Sequence, residues 1–238
     1  MAQVTSVEDM ISQNVDILLV AANQADTLMN PLTTAAEKGI KIVMVDTDAP
    51  DFTEKVTYIG TDNYEAGYEG AKEFGTRLGG GKNVVILRGK LGDPNHEKRT
   101  EGLIAGLEET GNTVLETQDA NCESDKAANA MEAFMTKYPD QIDAVMVTSD
   151  SMAVGAAQAI KAAGLGDRIQ VCGFDGFQAA IDLVGTGEIS MIIAQRPEEI
   201  GRKGIECGLG ALEGETYDSY INTGIEIIDS SNYQDYQD

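Results

Sequence analysis

The residues best placed to do chemistry sit where short apolar runs stop. Ala144–Thr148 ends in Thr148-Ser149-Asp150, Gln170–Gly173 runs on to Asp175-Gly176, and Met191–Ala194 is followed by Gln195. Earlier in the chain, Ile40–Val45 runs into Asp46-Thr47-Asp48, and Thr57–Gly60 into Thr61-Asp62-Asn63. Carboxylates, amides and hydroxyls in such places can hydrogen-bond a small polar ligand, because ligands of open parallel sheets lie outside the carboxyl ends of the strands. The same residues have a plainer reading, in which Asp150 and Asp175 cap the helices that follow them. Asp175 can do both.

Covalent and metal chemistry find little support. One histidine, His96, leaves no multi-histidine metal site. The three cysteines, Cys122, Cys172 and Cys207, lack metal-ligand spacing. Cys172 lies inside a strand pattern and reads as a small core residue. No nucleophile elbow is present. Glycoside hydrolysis would need two opposed carboxylates, a pair that Asp46 and Asp175 could mimic. Apart from that pair no catalytic set is visible, and neither a cofactor nor a metal is expected.

The elements that must position these residues follow from periodicity. The three central runs are about strand length. Helical patterns separate them: Met152, Ala156, Ile160 and Ala163, then Ala179, Ala180, Leu183 and Val184. Alternating strands and helices with buried strands predict an α/β fold built on parallel sheets. Further strands are expected over Asp16–Ala22, Ile40–Val45, Thr57–Gly60, Asn83–Leu87, Thr113–Thr117 and Gly224–Ile228. Helices are expected to end near Asn14 and to span Thr27–Lys38, Tyr64–Leu78, Glu97–Thr110, Ser124–Tyr138 and Pro197–Leu212, with Gly92–His96 as a loop. At 238 residues and 42% hydrophobic the chain can bury a sizeable core. A net charge of −23 repels phosphate backbones and argues against a nucleic-acid partner. No apolar run reaches membrane-spanning length, and MAQVTSVEDMISQ reads as neither signal peptide nor anchor.

SDSMAVGAAQAI, VCGFDGF and IIAQRPEEIG together resemble the type I periplasmic sugar-binding proteins of the ribose-binding class, with a weaker resemblance to the effector domains of lactose-repressor-type regulators. The resemblance implies a two-lobed fold: residues 1–61 an N-terminal lobe, 62–195 a C-terminal lobe with a sheet of about six strands, 196–222 a helix returning to the first lobe, and 223–238 a tail returning to the second. It implies a small sugar or polyol bound in a crevice between lobes and delivered to an ABC permease, in an extracytoplasmic setting, periplasm or cell-surface lipoprotein. A ligand-sensing domain of a regulator or of a membrane sensor is the alternative.

Carried over residue by residue, the resemblance implies that Asp46 in IVMVDT accepts two hydroxyls and that Arg99, Asp175 and Gln195 bind ligand. Ser149 and Ala21 fall where ribose binders carry asparagine, Thr47 where they carry arginine, and Cys122 where they carry an aromatic. Those departures argue against ribose itself. His96, three residues before Arg99, could reach the crevice or stand in a surface loop. Phe177 reads better as core than as a stacking face. The family's leading strand, helix and second strand have no counterpart before Asn14, so the first lobe is expected to be incomplete. Strand 16–22 would then expose an apolar edge, open to pairing with a second copy of the chain or to cover by residues 1–14.

Overall fold

A computed structural model describes residues 2–237. In chain order the elements are α1 (Ala2–Ser12), β1 (Ile17–Val20), α2 (Ala25–Glu37), β2 (Lys41–Val45), β3 (Thr57–Gly60), α3 (Asn63–Leu78), β4 (Asn83–Arg88), α4 (Pro94–Glu109), β5 (Thr113–Asp119) and α5 (Ser124–Lys137). They continue with β6 (Ala144–Val147), α6 (Asp150–Ala162), β7 (Gln170–Asp175), α7 (Gln178–Thr186), β8 (Met191–Ala194), α8 (Pro197–Leu212), β9 (Tyr220–Asn222) and β10 (Glu226–Asp229), and a 3-10 turn at Tyr233–Tyr236. The chain divides into two compact units, Met1–Asp62 with Arg196–Gly224, and Asn63–Gln195 with Ile225–Asp238.

The first unit is a four-stranded sheet in the order β1-β2-β3-β9, parallel throughout. Alternate residues along β1 and β2 explain its two layers. Leu18, Val20, Ile42 and Met44 pack with Val7, Ile11, Leu28 and Leu32 from α1 and α2. Val43 and Ile59 face Ile200 and Cys207 of α8. Strand β9 was not legible as a strand. It is three residues long and earns its place by register with β3, Tyr58 opposite Tyr220. Among the described residues β1 pairs only with β2 and forms the sheet's edge, with Leu19 39% exposed; Ile205, Leu209 and Leu212 of α8 are exposed as well. At the end of that strand Gln3 of α1 donates to the Ala21 carbonyl and accepts from the Asn23 amide.

The second unit is a six-stranded sheet in the order β10-β8-β7-β6-β4-β5, with β10 antiparallel to β8 and the other pairs parallel. β6 and β8 are buried at every position, as a sheet covered on both faces requires. One layer joins Val145, Val147 and Ile192 to α5, α6 and α7. The other joins Ile86, Met146, Phe174 and Ile193 to α3 and α4. Those two helices touch backbone to backbone. A methyl group on Gly102 would collide with the Tyr64 carbonyl, and one on Gly106 with the Tyr68 carbonyl.

The loop expected at Gly92–His96 is corrected at its second half. α4 begins at Pro94, with the Asp93 side chain accepting from the Asn95 amide at 3.0 Å. An aspartate followed by proline is a helix start, since proline needs no amide partner there and its φ is already helical. His96 therefore lies in the first turn of a helix.

At the far edge Asp229 accepts from the Ser231 amide and hydroxyl and pairs with Arg77 at 2.7 Å. The Ser231 hydrogen bonds, then Arg77, hold its carboxyl down at about 2. A depressed folded pKa contributes stability above the unfolded value, and that contribution is lost as pH falls toward 2. Asp229→Asn should therefore lower Tm by about 2–4 °C at pH 7, the shift that one kcal/mol makes in a chain of this size. At pH 2 most of that gap should have closed. Calorimetric scans at both pH values check it.

Candidate functional site

In the second unit the carboxyl ends of β6, β7 and β8 lie side by side because the three strands are parallel. Arg99, one turn into α4, reaches over them and is 6% exposed at its side chain. Its Nη1 donates to Asp175 Oδ1 at 2.8 Å and to the Thr148 carbonyl at 2.9 Å, and its Nε donates to Asn63 Oδ1 at 2.8 Å. Gln195 Nε2 donates to the same Asp175 oxygen at 2.8 Å. The guanidinium also lies 4.1 Å from the Phe174 ring centroid, a cation–π contact on a face from which water is excluded. Three of the expected residues, Arg99, Asp175 and Gln195, thus come together from positions far apart in sequence.

His96 stands beside them. Its Nδ1 is 3.0 Å from Thr148 Oγ1 and its Nε2 is 3.1 Å from Cys122 Sγ. Burial, then the neighbouring Arg99 charge, pushes the imidazole below its ordinary value. Burial raises the Cys122 thiol. The pair is therefore neutral near pH 7, a thiol against an uncharged ring. Ser149 is buried, its hydroxyl 2.8 Å from that of Ser151, which donates to the Cys122 carbonyl.

Two capping expectations fail. The N-cap of α6 is Ser149 and that of α7 is Phe177. Asp175 serves Arg99 and Gln195 instead, and Asp150 accepts from the amides of Gly176 and Phe177. Both carboxylates bond across strands, where the sheet brings donors closer than their own helices do. Phe177 is also corrected: it is 58% exposed and not core, because the turn after β7 carries it out of the sheet layer.

In the first unit Asp46 ends β2 with φ of 62°, a left-handed conformation that aspartate tolerates better than most residues. The Tyr58 hydroxyl donates to its carbonyl at 2.8 Å, and Thr47 Oγ1 donates to its Oδ2 at 2.9 Å. Burial, then Tyr220, raises the Tyr58 phenol, whose ring stacks on Tyr220 at 5.2 Å. The Asp46 carboxylate is exposed, whereas Asp48 pairs with Lys55 at 2.6 Å.

Sequence reasoning missed Asn63 and Phe174, which hold Arg99. Asn63 had a signal, since it closes a polar run after a strand; Phe174 had none beyond its place in VCGFDGF. Among the described residues no three His, Cys, Asp or Glu side chains cluster as metal ligands. The network provides planar donors and acceptors on one buried surface, the equipment for a polyhydroxylated ligand.

Comparison with known proteins agrees with that equipment. The family described as periplasmic binding protein domain matches residues 1–216. The chain is 29% identical to the ribose import binding protein RbsB of Escherichia coli K12, over 95% of this chain and 75% of that protein. It is 33% identical to a xylitol-binding protein of Mycolicibacterium smegmatis, over 78% of this chain and 53% of that one. An ABC transporter periplasmic solute-binding protein from Actinobacillus succinogenes 130z, solved with bound D-allose, superposes with a TM-score of 0.91 at 30% identity, covering 98% of this chain and 83% of that one.

Proposed function

The chain belongs to the periplasmic binding protein domain family, and from that premise we propose that it is the solute-binding component of an ABC-type importer for a small sugar or polyol. The observation that carries this reading is the part-buried Arg99–Asp175–Gln195 network at the parallel strand ends. A carboxylate there accepts from ligand hydroxyls while the guanidinium and the amide donate to ligand oxygens. Ser149 and His96 complete the second unit's contribution. Asp46 and Thr47 supply the first unit's, with the exposed Asp46 carboxylate accepting hydroxyls. The lobes are residues 1–61 with 196–222, and 62–195 with 223–238, and their crossings act as the hinge.

The relatives bind ribose, xylitol and D-allose by their names, which sets the panel. Adding D-ribose, D-allose or xylitol at a hundredfold excess over Kd should stabilise the chain by about 2.7 kcal/mol. A Tm rise with one or two members, confirmed by calorimetric titration, is the expected outcome. A flat Tm across the panel would sink the sugar reading.

The partners in this reading are an ABC permease and, through the open edge of strand 16–22, a second copy of the chain, with the protein held outside the cytoplasm. The pairing is supported by an edge sequence, ILLV, with no charge or proline to protect it. Light scattering behind size exclusion should give twice the mass of the 25.3 kDa chain, and Leu19→Lys should return it to monomer.

A further inference from the structure

We propose that Asp150 is the positioning residue of the ligand site, a buried carboxyl that holds the turn after β7 and links ligand affinity to its own proton. The sugar-affinity part rests on the function proposed above; the rest does not.

Asp150 opens α6, yet no hydrogen bond from its carboxyl serves that helix. Oδ2 accepts from the amides of Gly176 at 2.7 Å and Phe177 at 2.8 Å, in the turn between β7 and α7. Oδ1 has no hydrogen bond although the residue is 1% exposed. It stands against Gly173, where a methyl group would collide with it, so the carboxyl is seated under β7 by a glycine. The clamped turn sets the residues that face ligand. Asp175 carries φ of 125°, a conformation that non-glycine residues rarely adopt. Such a conformation persists only where surrounding structure over-determines it. The two amides held by Asp150 belong to the next two residues, and the second carries the exposed Phe177 ring.

The charge on Asp150 is finely opposed. Burial, then the charge of Asp175, raises its carboxyl, and the amides of Phe177 and Gly176 lower it, leaving it at about 7. On β7 the other titratable neighbour is Cys172, whose thiol is raised by burial and by Asp150. From α4, Arg99 reaches Asp175 and the Thr148 carbonyl. β6 and β8 carry no titratable side chain. On α5, Asp125, Lys126, Glu132 and Lys137 are solvent-exposed, as is Asp182 on α7. Ionised, Asp150 grips the turn with charge-assisted hydrogen bonds, roughly twice as strong as neutral ones. Protonated, it grips less firmly and Asp175 is less fixed. Affinity for a sugar should therefore rise as pH rises through 7.

The test is amide and carboxyl NMR on the full chain from pH 6.5 to 8.5, a window above the lowered His96 titration, with D-allose as the ligand probe. In the parent, the Gly176 and Phe177 amides should move together with one midpoint near 7, and D-allose affinity should rise about tenfold across it. In Asp150→Asn the amide titration should vanish and D-allose affinity should be flat with pH. Amides that do not move in the parent, or that still titrate in the variant, overturn the proposal. So does a flat D-allose affinity in a parent whose amides do titrate. The parent's titration needs no variant to fold. If D-allose fails to bind at every pH, the sugar reading has failed, and the amide titration alone decides whether Asp150 holds the turn.

Discussion

Arg99→Ala should cost both stability and ligand. The side chain is 6% exposed and its partner Asp175 10%, so truncation leaves a buried carboxylate with only Gln195 beside it. Breaking one side of a buried ion pair costs about 3–5 kcal/mol, which lowers Tm by about 10 °C in a chain of this length. Sugar affinity should fall by more than tenfold, since each hydrogen bond to a charged group contributes roughly 1.5–3 kcal/mol. Arg99→Lys separates the two effects. It keeps a charge for Asp175 but cannot serve Asn63, the Thr148 carbonyl and Asp175 together as the planar fork does. The lysine variant should recover part of the stability and little of the affinity. Chemical denaturation and calorimetric titration read the two separately. An alanine variant as stable as the parent would show that the network is not what holds these strand ends.

The second large effect is expected far from any ligand atom, at Gly102 and Gly106. Helix propensity alone favours alanine over glycine by about 1 kcal/mol per position. Packing opposes it. Both added methyl groups meet backbone of α3, the Tyr64 and Tyr68 carbonyls, and backbone cannot rotate aside. Overpacking costs about 1–3 kcal/mol per site, so after the propensity gain the double variant Gly102→Ala/Gly106→Ala should be destabilised by up to about 4 kcal/mol. Pushing α4 off α3 also moves Arg99, one turn before Gly102, away from Asn63 at the start of α3. Affinity should therefore drop although neither glycine touches the site. A stabilised double variant would mean that propensity wins and that the helices separate freely.

Much of this was readable before any fold was known, for a local reason. Helix and strand periods are properties of consecutive residues, so β3, β8 and α8 could be placed to the residue. Polar residues that end buried strands announce a binding edge in the same way. Asp175 and Gln195 were found on those grounds together with a family resemblance. The resemblance alone supplied Arg99 and His96, and it singled out Asp46, Thr47 and Ser149 among the other strand-end residues. Cys122 drew notice as a cysteine without metal-ligand spacing and as a departure from the family's pattern, and its contact with His96 came from the fold.

What the sequence by itself determined, then, was the alternation of strands and helices, the fold class and which strand ends are polar. Tertiary structure decided where each polar side chain turned. Asp150 and Asp175 are both good caps by local rule, yet both left their own helices, because parallel pairing of β6, β7 and β8 brings distant amides and a guanidinium within 2.8 Å. Three-residue β9 exists only through its register with β3, and the exposure of Phe177 follows from the turn after β7, whose Phe177 amide donates to Asp150. Each of these depends on partners far along the chain, which no local period can encode.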